Sequence, residues 1–150
     1  MAWNEITDDA EAKQFIKRMG GFHNWYVIDM HYDPLARADK AETALEGHYY
    51  TDTDEFSLKL RFGPQDKSGN WPEIELRFNE VATAGFSNFE EPDSLKKCSI
   101  EKTGCGWAFL SDYTLSAEER ESPTGLKSNL FAIANHLYWR GENLEQFGQA

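Results

Sequence analysis

The chain has 150 residues and carries 15 Lys and Arg against 26 Asp and Glu, a net charge of −11 at pH 7. Hydrophobic residues at 40% and aromatic residues at 14% exclude a disordered acidic chain. The length predicts one domain, 1–150, with a core that needs no covalent staples. The negative charge argues against a nucleic-acid partner, which needs a basic face. Charges interrupt every apolar run short of the ~18 residues of a membrane span, so no membrane association is expected. Met1-Ala2-Trp3-Asn4-Glu5 has neither the basic region nor the apolar core of a signal peptide, which predicts a cytoplasmic protein.

The first element in chain order is an amphipathic helix over 7–19. Ala12, Phe15, Ile16 and Met19 fall at i, i+3, i+4 and i+7, Thr7 or Asp8 supplies the N-cap, and Gly20-Gly21 ends it. Residues 22–32 are aromatic and β-branched and predict a strand with large apolar groups on both faces, hence a central one. Residues 35–47 are rich in Ala and charge, either a helical turn or an irregular connection, and 48–51 predict a short strand.

Residues 56–62 and 73–78 alternate strictly and are separated by turn formers, which predicts an antiparallel hairpin. Its buried face comprises Phe56, Leu58, Leu60, Phe62, Ile74, Leu76 and Phe78. The register pairing Leu60 with Ile74 sets Lys59 opposite Glu75 and Arg61 opposite Glu73, pairs worth about 0.2–1 kcal/mol each.

Residues 81–89, with Gly85, predict a bulged strand. A second hairpin, 95–101 with 106–112, turns about Thr103-Gly104, which would set Cys105 opposite Lys102 and Cys98 opposite Phe109. That register separates the two thiols, and both are expected to be reduced. Ser116-Ala117-Glu118-Glu119 predicts a capping box for a short helical turn. Residues 128–140 fit a strand through Phe131, Ile133, Leu137 and Trp139, and also a helical stripe; the aromatic ending favours the strand.

No nucleophile elbow, phosphate-binding loop, dinucleotide fingerprint or paired-histidine zinc motif is present. Asp29 and His31, with His48 on another strand, are the nearest approach to a two-His, one-carboxylate set. An ordinary histidine–carboxylate contact explains them better, so neither a metal nor a cofactor is expected. Trp25, Trp71, Trp107 and Trp139 either pack in the core or line a ligand groove.

Gly21-Phe22-His23-Asn24, preceded by a short helix, resembles the opening of a widespread group of small bacterial proteins that share a Phe-His-Asp motif running into a strand. The alternating hairpin at 58–62 and 74–78 and the closing Trp139-Arg140 are similar to the same group. Some of its members look like immunity proteins of polymorphic toxin systems. Here Asn24 stands where the group usually has Asp, which removes a charge. The resemblance implies an α+β fold with a curved antiparallel sheet and assigns no catalytic residues. Read from the residues alone, Phe22 anchors the strand start, while His23 and Asn24 bond backbone groups at the helix-to-strand junction.

The combined expectation is an α+β domain: a mainly antiparallel curved sheet of about six to eight strands with an N-terminal helix packed on it. The expected function is that of a non-catalytic bacterial binding protein, an immunity protein covering a basic toxin with an acidic face. Asp52, Asp54 and Glu55, with Glu118, Glu119 and Glu121, are the candidate face, and Trp71 or Tyr50 the candidate anchors. The alternative is a small-ligand or accessory module with an aromatic groove on the sheet. Exposed strand edges also make a homodimer conceivable.

Overall fold

The computed structural model describes residues 2–33, 54–63, 70–86, 94–123, 126, 128 and 130–147. The elements expected at 35–47 and 48–51, and the candidate residues Tyr50 and Asp52, lie outside the described residues.

Helix α1 (Asp9–Arg18) occupies the predicted segment. Asp8 is its N-cap and accepts a hydrogen bond from the Glu11 amide at 2.8 Å. Lys17 and Arg18 sit in the last turn, where the helix dipole favours cations. Ala12, Phe15 and Met19 are buried and Ile16 is half-buried, so the apolar stripe faces the core. Gly20 and Gly21, at φ +63° and +68°, end the helix in the left-handed region.

The strands are β1 (Asn4–Glu5), β2 (Trp25–Asp33), β3 (Glu55–Phe62), β4 (Glu73–Phe86), β5 (Cys98–Thr103), β6 (Gly106–Ser111) and β7 (Leu130–Glu142). They form an open, curved antiparallel sheet in the order β2-β3-β4-β7-β6-β5, with β1 pairing to β7. The fold is thus α+β with one N-terminal helix, as the sequence predicts. β7 is the axis: β4 lies along one edge, while β6 and then β1 share the other.

The β3–β4 register is the predicted one: Leu60 faces Ile74, Lys59 faces Glu75 and Arg61 faces Glu73. The inward residues of both strands are buried except Phe62, which is half-buried. Segment 128–140 is a strand. Its facing differs from expectation: Leu130, Ala132 and Ala134 point to the main core, whereas Phe131 and Ile133 face a second apolar cluster. The inward set then changes parity to Leu137 and Trp139. In β4 the same change runs from Phe78 to Val81, about Glu80 at φ +61°. Sequence alternation alone does not show such a kink.

Two further expectations are corrected. Among the described residues β2 is an edge strand, not a central one, and it starts at Trp25. A register shift at Ile28 sets Trp25, Val27, Met30 and Tyr32 on one face, opposite Phe62, Leu60, Leu58 and Phe56. The second hairpin turns at Gly104-Cys105, so Cys98 faces Ser111. The Thr103 hydroxyl fixes that turn: it donates to the Gly106 carbonyl at 2.8 Å and accepts from the Cys105 amide at 3.1 Å. Gly106, at φ +122°, lets β6 approach β7, because a Cβ there would lie 2.2 Å from the Ala134 carbonyl oxygen.

The curvature brings the two ends of the sheet together. Asn24 donates its amide to the Leu95 carbonyl at 3.1 Å, and the Leu95 amide donates to the Trp25 carbonyl at 2.7 Å. Phe22 lies beneath this clasp, fully buried, with its ring edge-on to Phe15, Trp25 and Phe109. Its φ of +58° is left-handed and costs a non-glycine residue about 1–2 kcal/mol. Burial of the ring contributes about 1.5–3 kcal/mol, and each ring pair about 0.5–1.5 kcal/mol more, so burial dominates. Phe22→Ala is expected to lower the unfolding free energy by about 3–5 kcal/mol in urea titrations; a loss below about 1 kcal/mol would show that the clasp does not depend on the ring.

Candidate functional site

The inner face of the sheet is filled by α1 and the aromatic core. Part of the outer face is also covered. Tyr113, Leu115 and Leu126, which flank helix α2 (Ala117–Glu121), pack over Ala108, Leu110, Phe131 and Ile133. The remaining outer surface of β3, β4, β7 and β1 carries polar and aromatic side chains.

Two charged rows cross it. Arg61 donates from Nε and Nη2 to Glu73, at 2.9 and 2.5 Å. Arg140 donates from Nε and Nη2 to Glu75, at 3.0 and 2.8 Å. Glu75 faces Lys59 in register, yet its carboxylate goes to the guanidinium on its other side, where the planar fork makes two bonds. Lys59, Glu73, Glu75, Arg140 and Glu142 line a cleft of about 210 Å³.

Beside these rows lies a cluster that the sequence reading did not identify. The Trp3 ring has the Arg77 and Arg140 guanidinium carbons each 4.3 Å from its centroid, and Arg77 also lies 5.3 Å from the Tyr138 ring. Such contacts are worth about 0.5–2 kcal/mol, more as water is excluded. Next to it His136 contacts Glu5 through Nδ1 at 3.1 Å and Glu80 through Nε2 at 3.0 Å, joining β1 to β4 across β7. The signal available in sequence was parity: the register that buries Leu76 and Phe78 sends Arg77 outward.

The predicted site residues are dispersed. Asp54 is buried: its carboxylate accepts from the Val81 amide at 2.9 Å and the Tyr32 hydroxyl at 3.0 Å, and its carbonyl accepts from the Glu80 amide at 3.1 Å. It holds the kink of β4. Glu55, half-buried, opens β3. Glu118 and Glu121 are exposed on α2. Glu119 closes the predicted capping box with Ser116 and accepts a short hydrogen bond from the Tyr113 hydroxyl. α2 lies against β5, so β4, β7 and β6 separate its acids from Glu55. Trp71 is half-buried over Gly63, and its carbonyl accepts from the Asn143 side chain. His23 reaches the Lys96 carbonyl with Nδ1 at 3.1 Å, and Asn24, at φ +68°, makes the backbone clasp to Leu95.

Of the tryptophans read as core or groove, Trp25 and Trp107 are buried and Trp139 stacks on Phe15. A separate apolar cleft of about 440 Å³ lies between Tyr32, Phe56, Val81, Thr83 and Phe86. Tyr32 and Phe86 are its exposed rims. Among the described residues no group of three or more His, Cys, Asp or Glu is placed to hold a metal ion.

Among the described residues four titratable groups are clearly shifted. The hydrogen bond to Asp54 raises Tyr32, and the one to Glu119 raises Tyr113. The Tyr113 and Ser116 hydrogen bonds lower Glu119. Burial pushes the Cys98 thiol up from its ordinary value of 9.0 to about 12, against a smaller lowering by the Ser111 hydrogen bond. Each cause is structural.

No protein-family model, curated protein or solved structure matches the chain. Among the described residues no helix is long and apolar enough to cross a membrane.

Cys98 and Cys105 are both free, the first buried and the second exposed. Iodoacetamide at pH 8 is expected to alkylate Cys105 in the folded protein and Cys98 only after unfolding. The folded state keeps the Cys98 proton up to about pH 12, whereas the unfolded chain releases it near 9.0. The contribution of Cys98 is therefore complete below pH 9 and lost as pH rises toward 12. Unfolding free energies measured across that window should fall less steeply in Cys98→Ala; equal slopes would contradict the assignment.

Proposed function

We propose that this domain is a non-catalytic bacterial binding protein that covers a basic protein partner, as an immunity protein covers a toxin. The observation that carries the reading is the −11 charge. Arg61, Arg120 and Arg140 each pair with a glutamate of the same chain. Arg18, Arg77 and Lys102 lie against aromatic rings. Among the described residues Asp112, Glu118, Glu121, Glu142 and Glu145 are exposed, as are Lys13, Lys17, Lys96, Lys97, Lys102 and Arg120, so the reading rests on the excess of acids over cations. A surface of that sign accelerates association with a basic partner.

Glu118 and Glu121, on the side of α2 away from the core, are the outward members of the candidate face. Asp54 and Glu119 instead support the fold, Asp54 at the kink of β4 and Glu119 in the cap of α2.

A second reading rests on the cleft between Tyr32 and Phe86. Its volume of about 440 Å³ falls within the range of small-ligand pockets, roughly 300–1,000 Å³.

Co-expression with the products of neighbouring genes, followed by affinity capture and native mass measurement, tests the first reading. A basic partner is expected to co-purify and to dissociate more readily as salt rises. Glu118→Lys with Glu121→Lys should then slow association about tenfold at low salt and flatten its salt dependence. A partner bound with salt-independent kinetics, or unaltered kinetics in the variant, would contradict it.

A further inference from the structure

The apolar cleft at the end of the sheet holds an acidic group. It lies between the last residues of β2, the first of β3 and the part of β4 beyond its kink. Among the described residues, Tyr32 and Phe86 are the exposed large hydrophobic side chains, and both frame this cleft. Asp54, only 8% exposed, lines it with them. Its carboxylate accepts from the Val81 amide and the Tyr32 hydroxyl, and neither donor carries a charge. Among the described residues no Lys, Arg or His forms an ion pair with it. Buried charges are ordinarily matched by an opposite one, and a carboxylate offers about four acceptor sites, of which two are used here. The neighbouring charges do not supply the match. Asp33 and Glu55 face each other across β2 and β3, and Glu80, whose amide bonds the Asp54 carbonyl, directs its carboxylate to His136.

We infer that this cleft binds a small organic ammonium compound, with its apolar body between Tyr32 and Phe86 and its nitrogen on Asp54. The inference rests on the second reading given above and names the chemistry of its ligand. A protonated amine supplies both things the carboxylate is without, a positive charge and donors for its unused acceptor sites. The rings of Tyr32 and Phe86 attract the same group, because an aromatic face is negative and draws a cation. An anion of the same size would meet Asp54 with Asp33, Glu55 and Glu80 around it, all of like sign. A neutral ligand would fill the apolar walls and leave the Asp54 charge unmatched. The volume of about 440 Å³ suits a small molecule.

The test is titration of the whole ¹⁵N-labelled protein at neutral pH and constant ionic strength with three compounds of one shape: phenethylammonium, 2-phenylethanol and phenylacetate. The amides of Val81 and Thr83 are the reporters. A saturable shift with phenethylammonium is expected, with 2-phenylethanol weaker by about tenfold and phenylacetate silent. Asp54→Asn should remove the preference for the ammonium over the alcohol, and Phe86→Ala, at the exposed rim, should weaken the ammonium about threefold. If Asp54→Asn does not fold, Phe86→Ala decides, and affinity equal to wild type overturns the proposal. A preference that survives in folded Asp54→Asn also overturns it. The alcohol binding as tightly as the ammonium overturns the charge recognition and leaves the ligand cleft standing. Absence of a saturable shift with all three compounds overturns both.

Discussion

The fold depends on closing a strongly curved sheet at its two ends. Six strands run in sequence from β2 to β5, and the ends meet where Leu95 exchanges two backbone hydrogen bonds with Asn24 and Trp25. Without that contact β2 is a free edge, and edges are where sheets fray or pair wrongly. The contact requires the chain to turn sharply between α1 and β2, through Gly20, Gly21, Phe22 and Asn24, all at positive φ. Two of these are not glycine. What holds them is the Phe22 ring, set among rings from α1, β2 and β6. The Phe-His-Asn segment thus has a mechanical meaning: the aromatic anchors, and the following histidine and asparagine meet the backbone of 95–96.

Curvature also decides which surfaces are available. The inner face is sealed by α1, with Phe15 stacked on Trp139. The far end of the outer face is covered by Tyr113, Leu115 and Leu126, which flank α2, over β6, a strand buried along its whole length. Among the described residues, a polar patch across β3, β4, β7 and β1 and the acidic exterior of α2 are left uncovered. Binding by such a molecule is a matter of charge placement on a rigid frame. Arg61 and Arg140 pair with glutamates on the outer sheet face, and Arg77 lies against Trp3 and Tyr138.

Much of this was readable from the residues, because the local signals agree with the fold. In α1 the apolar spacing, the Asp8 cap and the Gly pair all point to one helix. In β3 and β4, strict alternation leaves two possible parities, and the Lys59–Glu75 and Arg61–Glu73 matches select the observed register. The capping box of α2 is written in Ser116 and Glu119. The failures share a cause. The shift at Ile28 and the kink at Glu80 each change which residues face inward, and the turn at Gly104-Cys105 slides the pairing by two positions; the kink is held by Asp54 and the turn by the Thr103 hydroxyl. Asp54 was read as part of an acidic surface, yet its carboxylate holds the Val81 amide, 27 residues away. The Trp3–Arg77–Arg140 cluster joins β4 and β7 to the residue preceding β1, from the middle and the two ends of the chain, and the sheet order brings them together.

Native-state amide hydrogen exchange at Asn24 and Leu95 tests closure of the sheet most directly. Both amides are bonded across the seam, so both should exchange only through global unfolding, with the same free energy as Leu76 in β4 and Leu137 in β7. Exchange at the rates of a fraying edge, with β4 and β7 still fully protected, would show that the sheet stands open and that its curvature has another origin.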